Sequence, residues 1–323
     1  MTLRIYVDFA MAPDVLGLLK EGTAGHQLVF PAAPAASALA KPERDPQFVS
    51  CDIAFGQPDP QAIEESERLQ WVHISTSGIT RYDNPRFREL LTERKIQFSN
   101  SAHVYNEHCA LHVFSFILAQ ARNLPLALKT RISSSEPGWH SLRGSCLSPE
   151  GQTLVILGYG AIGRRLTELL RPLGMKVVAF RRHPRGDEGV PVIAADQLQQ
   201  TLGEADHVVN ILPESSETLN FFDAARFAAI KPGAAFYNIG RGTTVDQEAL
   251  FDALRSDHLK AAWLDVTDPE PLPADHPLWS QPNCFMTPHV AGGHVDEGKT
   301  LVRHFLTNLQ RFLRKEPLRD QIL

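Results

Sequence analysis

The sequence predicts an α/β protein of two domains, one of them a doubly wound parallel sheet, and three observations carry that prediction. The chain has 323 residues, against a usual domain size of roughly 100 to 200. Short runs rich in Val, Ile, Leu and Phe alternate with longer mixed segments in both halves, the rhythm of strands followed by helices. One junction is a glycine-rich turn, GYGAIG at 158–163, set between a strand pattern and a helix pattern. Hydrophobic residues make up 43% and charged residues 21%, so collagen-like, disordered and low-complexity readings fail.

In the first hundred residues, strands are expected at 3–7, 27–30, 52–56, 71–75 and 96–99. Helices are expected at 60–69 and 85–94, each opening on a proline, which the first turn of a helix tolerates because its N–H has no partner there anyway. The run 105–122 is rich in Ala, Leu, Phe and His and stops at Asn123 and Pro125; it reads as a buried helix leading into the second domain. Residues 131–151, rich in Ser, Gly and Pro and carrying Trp139, read as a surface excursion suited to an oligomer contact. Beyond it come six stronger strands, at 153–157, 176–180, 207–212, 234–239, 261–266 and 284–288, the count of a doubly wound sheet. A last helix, 298–315, is placed to pack back on the N-terminal domain.

Charge and cysteines exclude several function classes. The formal charge is −5, which offers no general attraction to nucleic acid or an anionic membrane, so any basic function must be local. Aromatic residues are 8% of the chain and are not interleaved with a basic patch, which argues against nucleic-acid binding. Cys51, Cys109, Cys146 and Cys284 lie far apart, with no C-x-x-C pair for zinc or redox chemistry; a reducing, cytoplasmic compartment fits. The N-terminus carries Asp8 inside its apolar stretch and reads as a first strand rather than a signal peptide. The apolar stretch 108–121 is too short for the roughly 20 residues of a membrane span. His103, Glu107, His108, Cys109 and His112 cluster, with His108 and His112 four apart on a helical face, but the order is not H-E-x-x-H, and no metal site is expected.

In the glycine turn, Gly158 permits the tight strand-to-helix turn, Gly160 lets a pyrophosphate approach the backbone, and Gly163 lets helix and strand pack closely. The expected cofactor shell is therefore Gly158, Tyr159, Gly160, Ala161, Ile162 and Gly163, joined by Leu212, Pro213, Ile239, Gly240 and Gly292 at neighbouring strand ends. At the end of the second strand, where an NAD site wants a carboxylate for the ribose 2′-hydroxyl, this chain has Arg181 and Arg182. A guanidinium fork matches a phosphate, so NADP(H) is expected over NAD(H). The competing reading is a solvated loop partly neutralised by Asp187 and Glu188.

Ligands of an open parallel sheet sit beyond the carboxyl ends of its strands. Three strand ends supply Arg241 between two glycines, Asp265 followed by Glu270 in a proline-rich turn, and His289 before Ala291, Gly292 and Gly293. An arginine to bind a carboxylate and polarise a carbonyl, a histidine to deliver a proton, and a carboxylate to favour the protonated imidazole are the parts needed to reduce a 2-oxo acid with a nicotinamide.

These residues, with the segments NIGRGTTVD (238–246), LDVTDPEPLP (264–273), HPLW (276–279) and NCFMTPHVAGG (283–293), resemble the D-2-hydroxyacid dehydrogenases over nearly the whole chain. The resemblance implies Arg241, Glu270 and His289 as the catalytic set and Asp265 as a contact of the nicotinamide carboxamide. It implies a Rossmann-type domain at 103–296 inserted in a smaller, flavodoxin-like substrate domain made of 1–102 and 297–323, and a homodimer through the cofactor domain. Thr76 to Thr80 look like the family's substrate-carboxylate loop, with Ser77, Gly78 and Ile79 as substrate contacts and Thr80 where an acid is often found. The arginine pair is similar to that of NADP-dependent glyoxylate and hydroxypyruvate reductases, so the expected substrate is a small 2-oxo acid. The alternative from another class is a nucleotide-sensing binding protein on the same scaffold with little turnover.

Overall fold

The computed structural model describes residues 2–32 and 44–323. Contacts divide the chain into two compact units, Met1–Tyr105 with Gly293–Leu323, and Asn106–Gly292. The first unit begins β1 (Arg4–Val7), α1 (Pro13–Gly22), β2 (Gln27–Val29), β3 (Ile53–Gly56), α2 (Pro60–Glu65), β4 (Trp71–Ile74), α3 (Pro85–Glu93) and β5 (Gln97–Ser99). Then α4 (Ala102–Ala121) carries the chain into the second unit, followed by α5 (Leu124–Lys129), α6 (Pro137–Gly144), β6 (Thr153–Leu157), α7 (Ala161–Leu170), β7 (Lys176–Phe180) and β8 (Val192–Ile193). There follow α8 (Leu198–Glu204), β9 (His207–Asn210), α9 (Ala224–Ala229), β10 (Ala234–Asn238), α10 (Gln247–Arg255), β11 (Leu259–Leu264), β12 (Cys284–Met286) and, back in the first unit, α11 (Glu297–Leu313).

The first unit holds a parallel sheet of order β2-β1-β3-β4-β5. Its strands read as near-continuous apolar runs because both faces are covered. The prolines that open α2 and α3 follow Asp59 and Asn84, whose side chains accept the Ala62 and Phe87 N–H groups, a saving of about 1 kcal/mol per cap. The helix expected at 60–69 stops at Glu65, and Leu69 is buried on the approach to β4. On one face Phe305 of α11 stacks on Phe55 and Trp71, centroids 4.2 and 5.2 Å away, so the end of the chain completes the core begun at its start.

The C-terminal tail closes this unit through one carboxylate. Asp320 accepts His103 Nδ1 at 2.5 Å, the His103 backbone N–H at 2.8 Å and His304 Nε2 at 3.2 Å. Burial works to raise its pKa, but the bonds from His304 and His103 outweigh that and bring it from 3.8 to about 2. A folded-state value below the unfolded one means the carboxylate stabilises fully above pH ~4, and that contribution is lost as pH falls through about 2. The shift is worth about 2 kcal/mol. Urea unfolding of Asp320→Asn should show that deficit at pH 7, and the gap from wild type should close between pH ~4 and ~2. A gap unchanged by acid would refute the assignment.

The second unit holds a parallel sheet of order β12-β11-β10-β9-β6-β7-β8. One face packs Ala110, Val113 and Ile117 of α4 with Leu166 and Leu170 of α7. The other packs Leu202, Phe227, Leu250 and Leu254 from α8, α9 and α10. The sheet has seven strands where six were expected, since β8 has two residues and a pair that short leaves no pattern to read. Strand ends are also shorter than expected: β9 stops at Asn210 and β12 at Met286. The surface excursion contains a short helix, α6, of eight residues, which buries nothing, as α5 before it buries nothing. No helix among the described residues is long and apolar enough to cross a membrane.

Candidate active site

The glycine turn sits where the strand order reverses, between β6 and β9, the position at which an open sheet binds ligands. Gly158 has φ +87°, and a Cβ there would lie 2.6 Å from the Ile211 carbonyl oxygen. Gly163 presses α7 against β6, with Tyr159 and Ile156 side-chain atoms 3.0 and 3.3 Å from where its Cβ would be. Gly160 is different: its nearest neighbour would be 4.0 Å away. Only there does a side chain meet open space, the space a pyrophosphate would occupy over the first N–H groups of α7. The turn therefore fits a dinucleotide.

The other residues of this shell divide by which of their atoms reach the rim. Tyr159 is 2% exposed, and its hydroxyl lies 3.1 Å from Thr167 Oγ1 and 3.2 Å from the Glu188 carbonyl oxygen, so only its backbone faces the turn. Leu212 and Ile239 have core side chains. Pro213 accepts the Thr218 hydroxyl at 2.6 Å on its carbonyl. Ala161 and Ile162 begin α7. Arg181 donates from Nη1 to Glu188 Oε1 at 3.1 Å, whereas Arg182 pairs with Glu217 on the surface.

Arg241, Asp265 and His289 follow three adjacent strands whose last residues are in register, Asn238 beside Leu264 and Leu264 beside Met286. The turn carrying Arg241 is wedged: a Cβ at Gly240 would lie 2.6 Å from the Leu212 carbonyl oxygen, and one at Gly242 would lie 2.0 Å from the Thr267 carbonyl carbon. Three buried polar residues brace it from below. Asn210 donates to Asn238 Oδ1 at 3.1 Å and Thr244 Oγ1 at 2.7 Å; Asn238 and Thr244 donate to the Arg241 carbonyl at 3.2 and 2.7 Å. The Arg241 Nη1 donates to the Gly240 carbonyl at 2.7 Å, and no carboxylate among the described residues pairs with the guanidinium. Its remaining donors are available to an anion.

His289 Nδ1 lies 3.0 Å from Glu270 Oε2, both side chains about one-third exposed, at 30% and 36%. The histidine backbone has φ +53°, held there because its N–H donates to the Asp265 carbonyl at 2.8 Å. The Asp265 carboxylate, 1% exposed, accepts the Thr287 hydroxyl at 2.6 Å and the Val290 and Ala291 N–H groups at 2.9 Å. Behind Thr287 stands His112, with Nε2 3.1 Å from the hydroxyl. Burial lowers the His112 pKa against the pull of Asp265, so a neutral ring donates to Thr287, which donates to Asp265. The helix cluster that includes His112 is thus dispersed: Glu107 pairs with Arg165, and His103 with Asp320. Among the described residues no three metal-ligating side chains converge.

In the other unit, the loop after β4 is braced by Gln57, whose Nε2 donates to Ser75 Oγ at 3.3 Å and Thr76 Oγ1 at 3.0 Å, and by Asn100, which donates to the Ser77 carbonyl at 2.6 Å. Among the described residues the backbone N–H groups of Ser77, Gly78 and Ile79 have no acceptor, the arrangement that binds a carboxylate in a glycine turn. Asp8, at the end of β1, accepts the Gln57 N–H on both oxygens at 2.9 Å. Burial raises its pKa to about 6. No bracing role for Asp8, Gln57, Asn210, Asn238 or Thr244 is expected from sequence; for all but Thr244 the available signal is a polar residue closing an apolar strand.

Residues 114–291 match the family model described as "D-isomer specific 2-hydroxyacid dehydrogenase, NAD binding domain". The glyoxylate/hydroxypyruvate reductase B of Klebsiella pneumoniae is 33% identical over 241 residues, 72% of this chain and 71% of that one. The mouse glyoxylate reductase/hydroxypyruvate reductase is 30% identical over 72% of this chain and 71% of its own. Among solved structures, a D-isomer specific 2-hydroxyacid dehydrogenase family protein of Aeromonas salmonicida superposes with a TM-score of 0.77 at 28% identity, covering 100% of this chain and 99% of that one.

Proposed function

Since the chain belongs to the D-isomer specific 2-hydroxyacid dehydrogenase family, we propose that it reduces a small 2-oxo acid, of the glyoxylate or hydroxypyruvate kind, to the D-2-hydroxy acid, with NADPH preferred over NADH. The chain is an NAD(P)-dependent oxidoreductase. The observation that supports the finer reading is the His289–Glu270 pair, which follows β12 and β11 of the same sheet edge whose next strand, β10, carries a guanidinium with free donors.

In this reading Arg241 binds the substrate carboxylate and polarises the carbonyl, while His289 gives its proton to the carbonyl oxygen as charge develops there. Glu270, on the far ring nitrogen, fixes the imidazole so that Nε2 faces the substrate. Asp265 holds the His289 turn and retains lone-pair capacity on Oδ2 for a carboxamide N–H. Gly158, Gly160 and Gly163 would take the pyrophosphate, Arg181 and Arg182 the 2′-phosphate, and Ser77, Gly78 and Ile79 the acid. The bound nicotinamide supplies the hydride. Purified protein should oxidise NADPH in the presence of glyoxylate or hydroxypyruvate. Cofactor binding without turnover across a broad panel of 2-oxo acids would overturn the proposal and favour a nucleotide-sensing role.

We further assign the 124–147 segment to a homodimer contact. It exposes Leu124, Leu126, Leu128 and Leu147 at 42%, 53%, 83% and 43%, and α5 and α6 bury none of their residues, an apolar surface that calls for a partner. Sedimentation should show a dimer that the pair Leu126→Glu and Leu128→Glu dissociates; a wild-type monomer would refute it. The four thiols are free, consistent with a reducing, cytoplasmic setting.

A further inference from the structure

We propose that Glu188 is the positioning residue for recognition of the cofactor's 2′-phosphate, because it holds Arg181 and the turn after β7 in one arrangement. The inference rests on the reading of Arg181 as a phosphate ligand, and it assigns the selectivity to a residue that does not touch the phosphate.

Glu188 is an acid in an exposed loop, yet it is 5% exposed. Its Oε1 accepts Arg181 Nη1 at 3.1 Å and the Arg185 N–H at 2.6 Å, and its Oε2 accepts the Gly186 N–H at 2.8 Å. Gly186 has φ +81°, the conformation that lets consecutive N–H groups converge on one carboxylate. The Glu188 carbonyl accepts the hydroxyl of Tyr159, the residue between the first two glycines of the nucleotide turn. One residue therefore ties the strand-end arginine, the basic loop and the glycine turn together.

The consequence is preorganisation. A buried carboxylate is tolerable only when paired and hydrogen-bonded, and the bonds that satisfy this one fix its position. The Arg181 side chain is only 18% exposed and spends one guanidinium N–H on Glu188, which leaves its other donors for a further acceptor. An arginine already ordered loses less rotamer entropy when an anion arrives. Arg182 lacks that support. Its pair with Glu217 is exposed on both sides, at 59% and 63%, and exposed pairs order side chains weakly.

The test is calorimetric binding of NADPH and of NADH to the full chain without substrate. Glu188→Gln keeps the size and removes the charge; it should weaken NADPH about tenfold, the scale of one charge-assisted hydrogen bond, and change NADH less than about twofold. Glu188→Asp, which draws the carboxylate back by one methylene, should act in the same direction and serves if the first variant does not fold. In an Arg181→Ala background, Glu188→Gln should change the NADPH-to-NADH ratio no further, since the two act as one unit. If Arg181→Ala lowers the ratio and both Glu188 variants leave it unchanged, the inference fails alone. If Arg181→Ala leaves the ratio unchanged, the underlying reading fails with it. A larger loss of NADH than of NADPH in Glu188→Gln would also overturn the inference, since Glu188 would then be an acceptor for the ribose hydroxyl.

Discussion

Replacing His289 by Gln should lower kcat for 2-oxo acid reduction by about 10²- to 10⁴-fold, the usual contribution of a positioned proton donor. Glutamine is close in size and can donate a hydrogen bond toward the carbonyl oxygen, but it cannot surrender a proton to it. The loss should fall on kcat more than on KM, because substrate and cofactor are held by other groups. Glu270→Gln should give a smaller loss, since the 3.0 Å partner of Nδ1 then no longer holds the ring in place as firmly. The variant should keep its fold: the His289 side chain is part-exposed, and the bonds that hold its turn run from backbone N–H groups to Asp265. Turnover within about tenfold of wild type would remove His289 from the proton-donor role.

What was legible in the sequence follows from what local pattern can encode. Eleven strands announced themselves because each is an apolar run bounded by turns, and buried parallel strands are written that way. The glycine turn was legible because its three glycines answer to three different local constraints, two of which are visible as close approaches at Gly158 and Gly163. Arg241, Asp265 and His289 stood out as charged or titratable groups directly after apolar strands. What stayed hidden depends on residues far apart in the chain. Asp8 meets Gln57 across 49 positions, and Asn210 meets Thr244 across 34; neither spacing has a sequence signature. The competing reading of the basic run as a solvated loop gives Glu188 only the task of partly neutralising it, whereas the structure gives it three bonds and almost no exposure. The charge count was right about the pairing and silent about burial, because burial depends on the turn at Gly186.

Arg241 carries the second large expectation, and its variants separate charge from shape. Arg241→Gln should lower kcat/KM for the acid by roughly 30-fold to several thousand-fold, corresponding to about 2 to 5 kcal/mol for truncating one partner of a desolvated, hydrogen-bonded charge pair. Most of that should enter through KM if the guanidinium binds the carboxylate equally in ground and transition states, and through kcat to the extent that it polarises the carbonyl. Arg241→Lys restores the charge without the planar two-donor fork, so it should recover only part of the loss. Neither change should disturb the scaffold. The turn is braced through the Arg241 carbonyl by Asn238 and Thr244, and the side chain's own bond within the chain is to the neighbouring Gly240 carbonyl. Thermal unfolding should stay close to wild type, and NADPH affinity measured without substrate should change less than about twofold. A loss of NADPH affinity as large as the loss in kcat/KM would assign Arg241 to the cofactor, and an unchanged kcat/KM would remove it from the substrate carboxylate.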